Sequence, residues 1–93
     1  MVVGVCTIEL HLPESGSLKS KRQILKGIKD RMKNRFNVSL AEVGNNDLWQ
    51  RATLGVATVA NDAKFVNQIL SKLIEHLQRE GGIVVLDYSM EIY

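Results

Sequence analysis

Among 93 residues there are one cysteine, one proline and one tryptophan, and aromatics make up only 5%. A lone Cys6 excludes a disulfide framework, an iron–sulfur cluster and a cysteine-based zinc site. No run of about 20 apolar residues is present to cross a membrane. The opening Met1-Val2-Val3-Gly4-Val5 lacks the positive leader of a secretion signal, so the chain is expected in the cytoplasm. His11 and His76 stand alone, without a second ligand at metal spacing, and no metal or cofactor is expected. A glycine-rich phosphate loop, a nucleophile elbow and a His-x-x-x-His pair are all missing. No residue is therefore assigned a catalytic role, and the chain reads as a non-enzyme.

What is present is ordinary for a globular domain: 45% hydrophobic residues, 24% charged residues and seven glycines in 10.4 kDa. That length supports a single core, so residues 1–93 are read as one domain. The net charge of +2 conceals a segregation. Residues 19–35 hold eight basic residues against the single acid Asp30, a balance of +7. The remaining four basic and nine acidic residues balance at −5.

Hydrophobic periodicity divides the chain into six elements. Cys6, Ile8, Leu10 and Leu12 alternate with Thr7, Glu9 and His11, as in a half-buried strand over residues 2–12. Ser17 then offers a helix cap after the break at Pro13–Gly16. Leu18, Leu25, Ile28, Met32 and Phe36 recur at helical spacing, with Ile24 widening the stripe. Strands follow at 38–43 and 51–60, separated by the turn formers Gly44-Asn45-Asn46-Asp47. Asn61-Asp62 caps a second helix bearing Val66, Ile69, Leu70, Leu73, Ile74 and Leu77, which Gly81-Gly82 ends. A last strand, 83–92, is expected to set Val84, Leu86, Tyr88, Met90 and Ile92 on one face.

The order strand, helix, strand, strand, helix, strand predicts an α+β, ferredoxin-like sandwich. Its antiparallel sheet has four strands, with both helices on one face. The expected core is Cys6, Ile8, Leu10, Leu25, Ile28, Met32, Leu54, Val56, Val66, Leu70, Leu73, Leu86 and Tyr88.

On a helical wheel, Lys19, Arg22, Lys26, Lys29 and Lys33 form a line beside the apolar stripe, about 16 Å long from Arg22 to Lys33. Cations at that spacing can follow the phosphates of a nucleic-acid backbone. A merely solvated face is the plain alternative, but such a face usually mixes signs to gain i,i+4 pairs. Lys21 falls on the apolar arc. Either it reaches out beside the Pro13–Ser17 loop to help hold an anion, or its stem snorkels. With Lys21 included, the candidate nucleic-acid-binding set is Lys19, Lys21, Arg22, Lys26, Lys29 and Lys33.

The opposite sheet face should present Val3, Val5, Thr7, Glu9, Thr53, Gly55, Ala57 and Val59. Without an aromatic there, base stacking on the sheet is excluded. A patch of small and β-branched residues suits association with another protein surface, and a homodimer is expected through this face or a sheet edge. Trp49 and Arg51 lie beside a turn. They read either as a binding pair or as a structural one, with Trp49 stapling the loop to the core edge and Arg51 pairing with Asp47. Glu9, Glu42 and Asp87 could neighbour one another across strands.

Three segments together carry a resemblance that covers essentially the whole chain. They are Leu12-Pro13-x-Ser15-x-Ser17-Leu18-Lys19-x-Lys21-Arg22, Phe36-Asn37-Val38-Ser39-x-Ala41-Glu42-Val43 and Asp47-x-Trp49-Gln50-Arg51. In them the chain resembles the YlxP-like family of small bacterial proteins, a domain-of-unknown-function group. The resemblance implies a ferredoxin-like fold. It also implies a setting near ribosome assembly or translation, since members are often encoded beside a translation initiation factor and ribosome-binding factor A. No activity, cofactor or catalytic residue comes with it, and positions 15–22 and 47–51 are the candidates for any shared site. Two function classes follow. One is a non-catalytic factor associated with RNA or a ribosomal particle through the first helix. The other is a homo-oligomeric interaction or regulatory module that binds no nucleic acid.

Overall fold

Alternation at Cys6, Ile8 and Leu10, and again at Ala52, Leu54 and Val56, gives two strands one apolar face each, and these faces are buried together. The computed structural model describes residues 1–93. Its elements run β1 (Val2–His11), α1 (Leu18–Arg35), β2 (Ser39–Gly44), β3 (Arg51–Ala60), α2 (Ala63–Arg79) and β4 (Val84–Ile92). The sheet is antiparallel throughout in the order β2-β3-β1-β4. Both helices cover the face that carries Leu40, Val56, Cys6 and Ile8, and a single apolar cluster joins them to it. This is the four-stranded sandwich that the sequence predicts.

Local chemistry sets the helix ends. The Ser20 N–H donates to Ser17 Oγ at 3.0 Å and starts α1. The Lys64 N–H donates to Asp62 Oδ1 at 3.0 Å and starts α2. Gly82, with φ of 84°, takes the left-handed conformation that closes α2. Gly4 is needed for another reason. A Cβ there would stand 2.2 Å from Val66 Cγ1, so only glycine lets α2 settle this close to β1.

β4 departs from expectation. Its pairing with β1 shifts between Glu9 and Leu10: Glu9 faces Asp87, but Leu10 faces Val85. Leu86 is therefore the extra residue of a bulge, and the inward set changes parity there. Ile83 is buried and Val85 partly so, while Leu86 is 49% exposed. Beyond the bulge Tyr88 sits opposite Ile8 on the helix face, yet it is 46% exposed because β4 is the border strand. Leu86 and Tyr88 are thus not core residues. The open face is as expected: Val3, Val5, Thr7 and Glu9 stand opposite Val59, Ala57, Gly55 and Thr53.

Candidate functional site

Two of the segments that carried the sequence resemblance, 12–22 and 47–51, meet at one end of the molecule with Glu42 of the third, where β1 leaves the sheet, α1 begins and β2 turns into β3. Phe36 and Asn37 lie at the other end, against His76 and Thr58. Lys21 lies at the centre of the end where 12–22, 47–51 and Glu42 meet. Its position on the apolar arc of α1 drives the side chain inward, and the residue is only 1% exposed. The ammonium does not emerge on the surface. Nζ stands 2.6 Å from Glu42 Oε2. It donates to the main-chain oxygens of Leu48 at 2.7 Å, Asn45 at 2.8 Å, Arg51 at 3.0 Å and Asn46 at 3.4 Å. Glu42 Oε2 is itself buried and has no partner besides this ammonium. A buried carboxylate and a buried ammonium are costly alone and tolerable only together with further acceptors, which the loop carbonyls supply. Lys21 is consequently removed from the anion-binding set: its protons are committed to the loop.

Gln50 closes the same end from the other side. Its main-chain oxygen accepts from the Leu12 N–H at 2.9 Å, and the His11 ring nitrogen Nδ1 lies 3.1 Å away. Its side-chain Nε2 donates to Pro13 O at 3.2 Å and to Ser15 O at 3.4 Å. Ser15, fully buried, donates through Oγ to Ser17 O. The 45–50 loop is thereby tied to both α1 and the 12–17 loop by polar contacts rather than by a packed core.

Held this way, the loop tip turns outward. Trp49 is 56% exposed, Leu48 is also exposed, and neither staples the loop to the core. Arg51 does not pair with Asp47; its guanidinium lies 3.9 Å from Glu9 Oε2 across the sheet. Glu9 also accepts from Thr53 Oγ1 at 2.8 Å, and Thr53 accepts from Asn45 Nδ2 at 3.0 Å. Asp47, Leu48, Trp49, Gln50 and Arg51 line a shallow concavity of about 450 Å³. Of the three carboxylates considered together, Glu9 and Asp87 are opposite partners on the open face, whereas Glu42 is turned to the helix face and bound to Lys21.

The basic line of α1 begins beside this loop and runs away from it. Lys19, Arg22, Lys26 and Lys33 are exposed and Lys29 is half-buried. The lone acid of the segment, Asp30, meets Lys26 at 3.3 Å in an exposed i,i+4 pair, worth at most about 0.5 kcal/mol. Arg31 lies outside the line and is paired elsewhere. Both its Nε and its Nη2 donate to Glu80 at 2.8 Å, which raises its pKa further. The histidines have local roles as well: His76 meets the Phe36 ring edge-on at 5.5 Å. Cys6 is buried, and burial pushes its thiol up to about 11, so it is an unreactive packing group.

Sequence reasoning missed Lys21 as the organiser of the loop, although two signals bore on it. A lysine sat on an apolar helical arc, and Glu42 shared the inward parity of Leu40 in β2. Together they describe a buried ion pair.

Strand order, antiparallel pairing and both helices on one face define a ferredoxin-like α+β sandwich. The family model described as "Protein of unknown function (DUF503)" matches residues 3–90, and the chain belongs to that family. It is 37% identical over 73 residues to "Uncharacterized protein YlxP" of Bacillus subtilis (strain 168), covering 78% of this chain and 79% of that protein. Among solved structures it is similar to the de novo designed protein Foldit4, with a TM-score of 0.55 at 10% identity, covering 100% and 97% of the two chains. It is also similar to the de novo designed Ferredog-Diesel, with a TM-score of 0.53 at 15% identity, covering 96% and 83%. These likenesses concern the fold alone. No helix is long and apolar enough to cross a membrane.

Proposed function

We propose that the protein is a non-catalytic, RNA-associated factor of the cytoplasm that holds structured RNA, or the RNA of a ribosomal particle, along α1. The observation that carries this reading is the row Lys19, Arg22, Lys26, Lys29 and Lys33, which has one weakly paired acid and stays outside the core. Such a row contacts phosphates and carries no base code of its own. The open sheet face has no aromatic on β1 or β3 to stack bases, so binding is expected to be weakly sequence-specific. This reading agrees with the translation-associated setting that the family resemblance implies.

A gel-shift titration with a structured RNA tests it. About four or five neutralised phosphates give a log–log salt slope of about −3 to −4. Reversing Arg22, Lys26 and Lys33 to Glu should abolish the shift at the same salt while leaving the circular-dichroism spectrum unchanged. If wild-type protein gives no shift at low salt, or the reversed variant binds equally well, α1 docks an acidic protein or is merely solvated.

A further inference from the structure

The two borders of the sheet are unequal. β2 is short and bulged between Glu42 and Gly44, both common protections of an edge against strand pairing. β4 has its bulge at one end only, and from Asp87 onward it pairs regularly with β1. Val3 and Tyr93 exchange both main-chain bonds, at 2.9 and 2.7 Å. Alternation then turns the polar groups of Asp87, Ser89 and Glu91 towards β1, and those of Tyr88, Met90 and Ile92 outward. The Tyr88 N–H, which has no strand partner, is taken instead by the Asp87 carboxylate at 2.8 Å. Along this border Tyr88 and Ile92 expose apolar surface. A long, apolar, unpaired edge is a pairing site.

We propose that β4 pairs antiparallel with β4 of a second copy of this chain, about a two-fold axis at Met90, so that two sheets become one. The register singles out a second copy as the occupant. With the axis at Met90, Met90 meets Met90 and Tyr88 meets Ile92, so residues with outward polar groups oppose one another and can exchange both bonds. Their side chains share the helix face, where Tyr88 and Ile92 each gain an apolar neighbour across the strands. On the open face Ser89 meets Glu91 and Asp87 meets Tyr93, and no carboxylate opposes another. An axis at Ser89 would set Asp87 against Glu91, and one at Tyr88 would set the bulged Leu86 against Met90. A contact related to itself by two-fold symmetry requires this kind of self-complementarity. Asp87 releases the Tyr88 N–H on pairing, and a main-chain oxygen of the partner replaces it. One strand-to-strand seam lies at the small end of specific interfaces, below about 1,200 Å², so dissociation in the micromolar range is expected.

Sedimentation velocity of the full chain, from about 1 to about 200 µM, should show a concentration-dependent monomer–dimer equilibrium. Ile92→Pro removes one outward N–H but keeps the bonds to β1, which run through Glu91 and Tyr93. It should weaken the dimer at least about tenfold without altering the circular-dichroism spectrum. Tyr88→Lys, which places a charge on the exposed edge, should do the same and serves if the proline strains the fold. Met90→Cys should cross-link on mild oxidation, because each axial residue faces its own copy and Cys6 is buried. A monomer across the whole range overturns the proposal, including a monomer that captures strand peptides of another protein. A dimer indifferent to both edge variants overturns it as well.

Discussion

A lysine that ends inside a protein must find acceptors for three protons, and Lys21 finds five oxygens from four loop carbonyls and Glu42. Lys21→Met would leave Glu42 Oε2 buried without its partner and take the ammonium from four main-chain oxygens, of which Asn45 O keeps the Leu48 N–H. The expected cost is about 3–5 kcal/mol, read from urea unfolding. Trp49 is the single tryptophan, so loosening of the loop should appear directly as a fall in its fluorescence anisotropy. Gly4 makes the opposite kind of demand, for empty space. Gly4→Ala would drive a methyl into Val66, and overpacking of that kind should cost about 1–3 kcal/mol. Neither residue announced its role through its type. The lysine lay on an apolar arc and the glycine in a strand, and each acquires its purpose from a neighbour over twenty positions away.

Elements whose pattern is set by one buried face were legible. The stripes of α1 and α2 and the alternation of β1 and β3 place the buried residues Leu25, Ile28, Met32, Leu70, Leu73, Cys6, Ile8, Leu54 and Val56 correctly. β4 was misread because its alternation runs Val84, Leu86, Tyr88 without a break, while the bulge opposite Glu9 and Leu10 is a property of pairing. A bulge inserts one residue and reverses parity, and the run of apolar residues on both parities of β4 gives no hint of it. The consequence is measurable. Leu70→Ala should cost about 2–5 kcal/mol, whereas Leu86→Ser should stay within about 0.5 kcal/mol. Equal losses at the two positions would restore Leu86 to the core. At the loop tip the sequence left two readings open for a related reason, and the structure removes the stapled one: Trp49 is exposed because polar contacts, which leave no hydrophobic pattern, hold the chain beneath it.

For the molecule as a whole, charge and stability both have a direction. The cations of α1 lie on the helix side of the sheet. Glu9, Asp87 and Glu91 lie on the open side, where Glu9 faces Asp87 and Val5 faces Glu91. A polyanion is thus drawn to one side and repelled from the other, which favours a single orientation of approach. Global stability should also depend on alkaline pH through Cys6. Its thiol is raised from 9.0 to about 11 by burial, so between these values the unfolded chain gives up a proton that the folded chain keeps. Stability from this source is intact below about pH 9 and falls as pH rises towards 11, by about 2–3 kcal/mol across the window. Cys6→Val should flatten that part of the pH profile in urea titrations. A wild-type profile no steeper than that of the variant would contradict the burial of the thiol.

The Lys21 ammonium grips main-chain oxygens, which every residue possesses, and so it fixes where the 45–51 loop stands without dictating what the loop displays. Position and chemistry are uncoupled there. A library randomised at Asp47, Leu48 and Trp49 should therefore melt close to the parent, within about 0.5 kcal/mol per substitution, while altering whatever the tip touches. Lys21 and Glu42 should admit no such freedom. In the vocabulary of protein engineering, this end of the fold is a mounting point, and new recognition sequences could be grafted onto it without redesigning the frame.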